Sequence, residues 1–383
     1  MLEYTRHSKG ASERRVLTDV YDSGQMLSGK CVSAFEQAFA KRLNVAHACA
    51  VSSGTSALHL CVEAVKRKYP KQGKVITTPL TFVATVAALT HGGFATHSFA
   101  DIDPHTLNFD LDIVDRALAA ASPGDFVGIM VVHFAGYPVD MPRVADLAAR
   151  YGLWVIEDAA HALGSAGLSA NDSHAFYCGD AQYSDLCAFS FHPAKNITTG
   201  EGGMVTTRHA DMAHFVNLAR SHCMDRQYQS HPWEYDVPTL GFNYRMTEFQ
   251  AAMGSVQLER LDEFIAQRQA LANRYYCAFA PLQGIEMHPP TPQYFHSYNL
   301  FIIEVPKRDT LYIWLKDHGI LCQILYKPLH LMSYFTQPID HLPCVERYYA
   351  RCLALPIFPE LTTKEQDRII YLCQTWHQHT LEC

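Results

Sequence analysis

The sequence predicts an α/β protein in two parts. A large N-terminal domain carries a mainly parallel sheet, and a smaller α+β domain follows it. Three observations predict this. Short apolar runs alternate with helix-patterned stretches from residue 46 to residue 220. The run Leu153–Ile156 is continuously apolar, as a strand covered on both faces must be, and it leads into Glu157 and Asp158. After Pro289, Pro290 and Pro292 the rhythm changes to a compact mixture of strands and helices. A chain of 383 residues is long for one core, so a division into residues 1–255 and 256–383 is expected.

In chain order, residues 1–30 read as an arm with a short helix around Ser12–Tyr21. Val32, Phe35, Phe39 and Leu43 share one face of a helix over Lys30–Leu43. Ala46–Val51 is a strand, and Ser52-Ser53-Gly54-Thr55 turns into a helix carrying Ala57, Leu58, Cys61 and Ala64. Such a helix start is either an anion site or a plain N-cap. Lys74–Thr78 is a strand, and Thr81–Thr90 a helix with Phe82 at its start. Strands over Ala95–Ala100 and Phe126–His133 bracket a helix near Leu111–Ala121. Asp101 and Asp103, which follow the first of these strands, read as turn and cap residues rather than a metal pair.

Met141–Tyr151 is a helix, and the polar residues 165–185 read as a surface excursion. Leu186–Phe189 and Met204–Thr207 are strands, followed by a helix over His209–Arg220. Thr247–Phe279 reads as long, largely helical sequence bridging into the second domain. There, Leu300–Val305 and Ile320–Leu325 are expected strands, with helices near Thr310–His318 and Thr363–Thr375.

The bulk properties exclude several classes. A net charge of −7 with scattered basic residues argues against nucleic acid or an anionic membrane as partner. No apolar signal core opens the chain and no 18 apolar residues run uninterrupted, so a cytoplasmic location is expected. Twelve dispersed cysteines without a C-x-x-C pair read as reduced, mostly buried thiols. No metal pattern occurs among the histidines, and His377 and His379 read as surface residues. Neither G-x-G-x-x-G after the first strand nor G-x-x-x-x-G-K-[ST] is present, which argues against a Rossmann dehydrogenase and a phosphoryl-transfer enzyme.

The chemistry centres on Lys195, held between the run Leu186–Phe189 and the turn Gly200-Glu201-Gly202-Gly203. An ordinary lysine, with a pKa of about 10.4, is a poor nucleophile at neutral pH, whereas a desolvated one condenses with aldehydes. The plain alternative is a surface-loop lysine. Ser190 and His192 add a hydroxyl and an imidazole to the same loop. Asp158 closes a strand at the end where open α/β sheets keep their ligands.

The pattern S-x-H-x-x-K-x-x-T-x-G-E-G-G around Lys195 resembles the lysine loop of the DegT/DnrJ/EryC1/StrS family of sugar aminotransferases. These use pyridoxal 5′-phosphate (PLP) and have the aspartate-aminotransferase-like fold (fold type I). The resemblance spans nearly the whole chain, with the motifs in the family's order. It implies that Lys195 is the catalytic lysine that binds PLP and that Ser190, Gly54, Thr55 and Ser56 hold the phosphate. Phe82, in a stretch similar to P-x-T/S-F/W-V-A-T, is implied to stack on the pyridine ring. The stretch Glu157–Gly164 resembles E-D-A-A/S-H/Q-A-x-G, which implies that Asp158 pairs with the ring nitrogen. Glu157 should then point the opposite way along the strand. His161 occupies a slot where many relatives carry Gln; it either donates to the cofactor's phenolic oxygen or is a packed structural residue.

Gly241–Glu248 resembles G-x-N-x-R-M/L-x-E, which implies a homodimer in which Asn243 reaches the neighbouring subunit's PLP phosphate. Ser23–Lys30 and Ile324–His330 resemble the family's substrate-contacting segments, so Gln25, Met26, Leu27, Tyr326 and Lys327 are implied to touch a nucleotide sugar. For Lys327 a surface lysine is the competing reading. Tyr326-Lys327-Pro328, Arg220-Ser221-His222 and E-D-A-A-H-A-L-G are most similar to the pseudaminic-acid branch of the family. Its members aminate C4 of a UDP-linked 4-keto-6-deoxy-N-acetylhexosamine with L-glutamate as donor. The other readings are a dTDP- or GDP-linked acceptor, amination at C3, and a catalytically silent homologue acting as a regulator. Cys223 departs from the glycine that usually follows His222. Lys195 argues against the dehydratase variant, which carries histidine in its place.

Overall fold

The computed structural model describes residues 1–27, 29–94, 97–168, 175–226, 231–335 and 342–381. Helices α1 (Ala11–Ser23) and α2 (Lys30–Leu43) lead into β1 (His47–Val51), α3 (Gly54–Lys68) and β2 (Lys74–Thr77). Next come α4 (Val83–His91), β3 (His97–Phe99), α5 (Leu111–Ala120) and β4 (Phe126–Val132). They are followed by α6 (Met141–Tyr151), β5 (Trp154–Asp158), β6 (Ala166–Leu168) and β7 (Ala175–Tyr177). β8 (Leu186–Ser190), β9 (Gly203–Thr207) and α7 (Ala210–Ala219) complete the first part of the chain.

Seven of these strands form one sheet in the order β1-β9-β8-β5-β4-β2-β3. The run β8-β5-β4-β2-β3 is parallel, and β9 pairs antiparallel with both β8 and β1. Only β9 therefore runs against the others, and Val51, Thr77, Asp158 and Ser190 end their strands at one edge. The two-residue period of the strands covers both faces. Val75, Met130 and Ile156 pack toward α3, α4 and α7, whereas Ile76, Ile129, Val131 and Val155 pack toward α5 and α6.

The rest of the chain comprises α8 (Glu248–Glu259), α9 (Leu261–Phe279), β10 (Glu286–Met287), β11 (Tyr294–Phe295) and β12 (Phe301–Glu304). Then come α10 (Arg308–Asp317), α11 (Pro343–Arg351), β13 (Cys352–Leu355) and α12 (Thr363–Leu381). An antiparallel sheet β10-β12-β13 is packed by α9, α10 and α12 around Tyr275, Phe279, Phe301, Ile303 and Leu353. Leu2 joins this second core, so the N-terminal arm is anchored on the C-terminal part.

Three expectations need correction, and Thr247–Phe279 is largely helical as expected, in two helices that meet at Arg260 (φ −95°, ψ 1°), whose guanidinium is held by Glu13 and Glu263. Ile320–Leu325 forms no strand; it makes isolated bridges, Leu2 with Ile320 and Gln323 with Ala354, while β13 takes the place beside β12. Residues 165–185 are not a mere surface excursion: β6 and β7 pair with each other and with β11, and Phe176, Cys178 and Ala181 are buried. His377 is buried too, with Nε2 2.7 Å from the Gln283 carbonyl.

Three parts of the sequence reading lie outside the described residues: residues 95–96 of the third strand, residues 169–174 and Ser28. Among the described residues every cysteine is a free thiol, no metal-ligand cluster occurs, and no helix is long and apolar enough to cross a membrane.

Candidate active site

The carboxyl edge of the large sheet opens into a cavity of about 510 Å³. Its walls include Gly54, Thr55, Phe82, Asp158, His161, Ser190, Lys195 and Tyr326. Residues separated by up to 272 positions in sequence thus meet in one space of the size that small-molecule sites have.

Lys195 is presented by a loop stapled at several points. β8 and β9 pair antiparallel up to Ser190 and Gly203, and Phe191 N donates to Gly202 O beyond them. Thr198 Oγ1 donates to Phe191 O (3.0 Å), and Gly200 turns with φ +81°, a conformation glycine adopts without strain. Asn196 Nδ2 donates to Leu163 O at 2.9 Å and Asn299 Nδ2 to Ala194 O at 3.0 Å, so both neighbours of Lys195 are fixed. Burial pushes the Lys195 amine down to about 8, against the opposing pull of the Asp158 charge.

Asp158 ends β5 and is buried. Thr85 Oγ1, from α4, donates to its Oδ2 at 2.7 Å, and Ala160 N donates to Oδ1 at 3.1 Å. Burial raises this carboxyl above its ordinary value, while Thr85, the Ala160 N–H and Lys195 act against the rise. Thr85 has one hydroxyl proton and gives it to Asp158, so Thr81, 2.7 Å behind it, must donate to Thr85. Glu157 faces the other side, as strand alternation requires. There it accepts from Ser184 Oγ (2.5 Å), Gly179 N (3.0 Å), Cys187 Sγ (3.1 Å) and His133 Nε2 (2.9 Å). Burial alone would raise its pKa, but the His133, Ser184 and Cys187 donors outweigh burial and lower it.

The first N–H groups of α3 have no acceptor within their own helix. Ser53 Oγ accepts from Ser56 N at 3.1 Å, leaving Gly54 and Thr55, both on the cavity wall, to offer theirs. A Cβ on Gly54 would lie 2.7 Å from Ser190 Cβ, so glycine is what lets the helix start abut Ser190. Ser56 is buried and does not line the cavity: Ser53 Oγ caps its N–H, and its own hydroxyl donates to Ser53 O at 3.0 Å.

Phe82 caps the start of α4 and is 56% exposed, a bare aromatic face on the cavity wall. His161 is buried, and its Nδ1 accepts from Ala135 N at 3.2 Å. The hydrogen is therefore on Nε2, which lies 3.3 Å from Tyr326 Oη, and the two rings stack at 22°. Burial, then the Lys195 charge, holds this imidazole well below its ordinary pKa and hence neutral.

Other expected residues lie elsewhere. Gln25 lines a separate open groove with Lys30, Gln37 and Arg220. Met26 and Leu27 are exposed, as are Lys327 and Asn243, and none of these four lines the Lys195 cavity within the chain. His222 and Cys223 both have left-handed backbones (φ 62° and 53°), so the conformation usually left to glycine is kept by a buried cysteine, while His222 stays exposed. Residues that the sequence reading missed on the wall include Tyr4, Asn299 and Gln323. Tyr4 Oη is buried without a hydrogen-bond partner.

A profile described as the DegT/DnrJ/EryC1/StrS aminotransferase family matches residues 7–373. The chain belongs to this family. The DegT/DnrJ/EryC1/StrS members are PLP-dependent aminotransferases, and so is this protein. Its α/β architecture is that of PLP-dependent transferases of fold type I. It is 32% identical to the spore coat polysaccharide biosynthesis protein SpsC of Bacillus subtilis, over 96% of this chain and 95% of that one. Among solved structures it resembles Helicobacter pylori PseC, an aminotransferase involved in pseudaminic acid biosynthesis (27% identity, TM-score 0.89, 99% of each chain). It also resembles the aminotransferase TlmJ of Streptoalloteichus hindustanus (28% identity, TM-score 0.89, 100% of each chain).

The cavity of this DegT/DnrJ/EryC1/StrS member fits PLP on its own terms. A lysine with a depressed pKa, a buried carboxylate held by two donors, a helix start narrowed to glycine and a bare aromatic face surround one space.

Proposed function

We propose that this protein transfers the amino group of L-glutamate to C4 of a UDP-linked 4-keto-6-deoxy-N-acetylhexosamine, the step used in pseudaminic acid synthesis. The observation that carries the aminotransferase chemistry is the Lys195 amine, brought to about 8 in the same cavity as the buried Asp158. At neutral pH about one part in ten of that amine is uncharged and able to take a proton.

PLP, when bound, supplies an electron sink for the substrate carbon that loses its proton. Every other task falls to the chain. Lys195 Nζ takes that proton and returns it. Asp158, assisted by Thr85 and Ala160 N, would hold a proton at the ring nitrogen. Gly54, Thr55 and Ser190 would bind the phosphate. Phe82 would offer its face to the ring, and His161 Nε2–H would donate to the phenolic oxygen. Tyr326 faces the sugar. In this reading the protein is a homodimer in which Asn243 reaches the partner's PLP phosphate, and Gln25, Met26, Leu27 and Lys327 contact the nucleotide sugar from their exposed positions. The division into a PLP-binding part and a C-terminal part is kept as a proposal; residue 255 itself falls inside α8. The enzyme is proposed to work in the cytoplasm.

The acceptor assignment is supported by the likeness to PseC and by the Tyr326-Lys327-Pro328 segment. It is tested by incubating the enzyme with glutamate and a panel of keto nucleotide sugars. Release of 2-oxoglutarate with the UDP-linked 4-keto sugar is expected. Release only with dTDP- or GDP-linked sugars, or amination at C3, overturns the acceptor and leaves the aminotransferase standing.

A further inference from the structure

The side chain with which Tyr326 enters the cavity sits on a segment without regular secondary structure. Residues 323–328 lie between the bridge at Gln323 and the short turn at Leu329–Leu331. The backbone there is tied at three places. Gln323 exchanges two hydrogen bonds with Ala354 (3.2 and 2.8 Å), Leu329 N donates to Pro79 O (3.0 Å), and Tyr348 Oη donates to Leu325 O at 2.6 Å. The last tie is immediately beside Tyr326.

Tyr348 belongs to α11 and Ala354 to β13, which follows α11 directly. The tie beside Tyr326 therefore depends directly on where α11 sits, while the Ala354 tie is held by β13 and its ladder with β12. That helix has no N-cap side chain of its own: Leu342 stands at the N-cap, followed by Pro343. A buried carboxylate 243 positions earlier in the chain does the capping. Asp101 Oδ2 accepts from Cys344 N at 2.8 Å, and Oδ1 accepts from Val345 N at 2.9 Å. A negative charge at a helix N-terminus is favourable in itself and satisfies two otherwise unpaired donors. Asp101 is held in turn at the carboxyl end of β3, where Ala100 N donates to Thr77 O, and its own Oδ1 also accepts from Ile102 N. Packing follows the same line. The Tyr348 ring meets Phe134 edge-on at 6.1 Å, and Phe134 meets both Tyr326 (6.1 Å) and His161 (6.0 Å).

We propose that Asp101 and Tyr348, neither of which lines the cavity, are positioning residues that set Tyr326 for the sugar-accepting half of the reaction. Of the groups assigned to PLP, Lys195, Asp158, Ser190 and the α3 start hang from the large sheet, while Phe82 and His161 meet this device only through ring contacts with Tyr326 and Phe134. The glutamate half therefore proceeds without this device. The inference rests on the reading above that Tyr326 faces the sugar.

The test separates the two half-reactions in Tyr348→Phe, Asp101→Asn, Asp101→Ala and Tyr326→Phe, each checked by melting temperature. Bleaching of the PLP band by glutamate alone reads the first half. Steady-state KM for the keto nucleotide sugar accepted by the wild type reads the second. Tyr348→Phe removes a single hydroxyl from a retained ring and is expected to raise the sugar KM about five-fold, the worth of one hydrogen bond. Asp101→Ala should raise it further, and Asp101→Asn, which keeps one acceptor, should fall between. Glutamate bleaching should stay within about two-fold of wild type, as expected when only ground-state sugar contacts change. Equal losses in both halves, or an unchanged sugar KM in Tyr348→Phe, overturn the positioning role. An unchanged sugar KM in Tyr326→Phe overturns instead the assignment of Tyr326, and this inference with it.

Discussion

Thr85 Oγ1 donates to Asp158 Oδ2 at 2.7 Å, joining the first turn of α4 to the end of β5 across the floor of the cavity. Because the hydroxyl stabilises the charged carboxylate, replacing it moves the Asp158 pKa upward. Thr85→Val, which keeps the shape, should weaken PLP binding about ten-fold and shift the acid limb of the pH–rate profile to higher pH. Thr85→Ser should restore both. An acid limb that stays in place in the valine variant would show that Asp158 does not depend on Thr85.

The depressed Lys195 amine has a direct signature in the cofactor-free protein. Acetylation of Lys195, followed by mass spectrometry across a pH series, should rise to half its maximum near pH 8. Asp158 favours the charged amine, so Asp158→Asn should move that midpoint lower. A midpoint at the ordinary lysine value would contradict the burial argument.

At Gly54 the expectation is steric. A methyl group 2.7 Å from Ser190 Cβ forces the α3 start away from the end of β8. Gly54→Ala should weaken PLP binding about ten- to a hundred-fold, measured by fluorescence titration, while the fold survives by circular dichroism. Unchanged affinity would remove this helix start from the phosphate site.

Glu157 contributes to stability rather than chemistry. Its lowered pKa means that its stabilisation is complete above the ordinary glutamate pKa and is lost as pH falls through the folded-state value. Glu157→Gln should cost about 2–3 kcal/mol at neutral pH and flatten the acid end of the stability curve. Urea titrations at several pH values check both. An equally steep acid limb in the variant would place that dependence on other groups.

Much of this was legible before any coordinates. β-strand and helix periods are local, so α2, α6 and the strands around Lys195 fall where their residue patterns place them. The lysine loop and Asp158 were readable because their chemistry lies in contiguous motifs. What escaped depends on tertiary competition. Ile320–Leu325 and Cys352–Leu355 are both short apolar runs, and tertiary pairing, invisible in either run alone, puts Cys352–Leu355 beside β12 and leaves Gln323 a single bridge to Ala354. Ser56 lies off the cavity wall because it is the residue whose N–H the Ser53 cap satisfies, a relation the motif alone does not reveal. Tyr4 and Asn299 reach the cavity from segments with no motif of their own.

The claim on which the rest stands is that the Lys195 amine carries the cofactor. The protein reconstituted with PLP should be reduced with borohydride, digested and analysed by mass spectrometry, beside Lys195→Ala treated identically. A single phosphopyridoxyl group on the peptide containing Lys195, absent in the variant, is the predicted result. The group on another lysine, or equal labelling of the alanine variant, would contradict it.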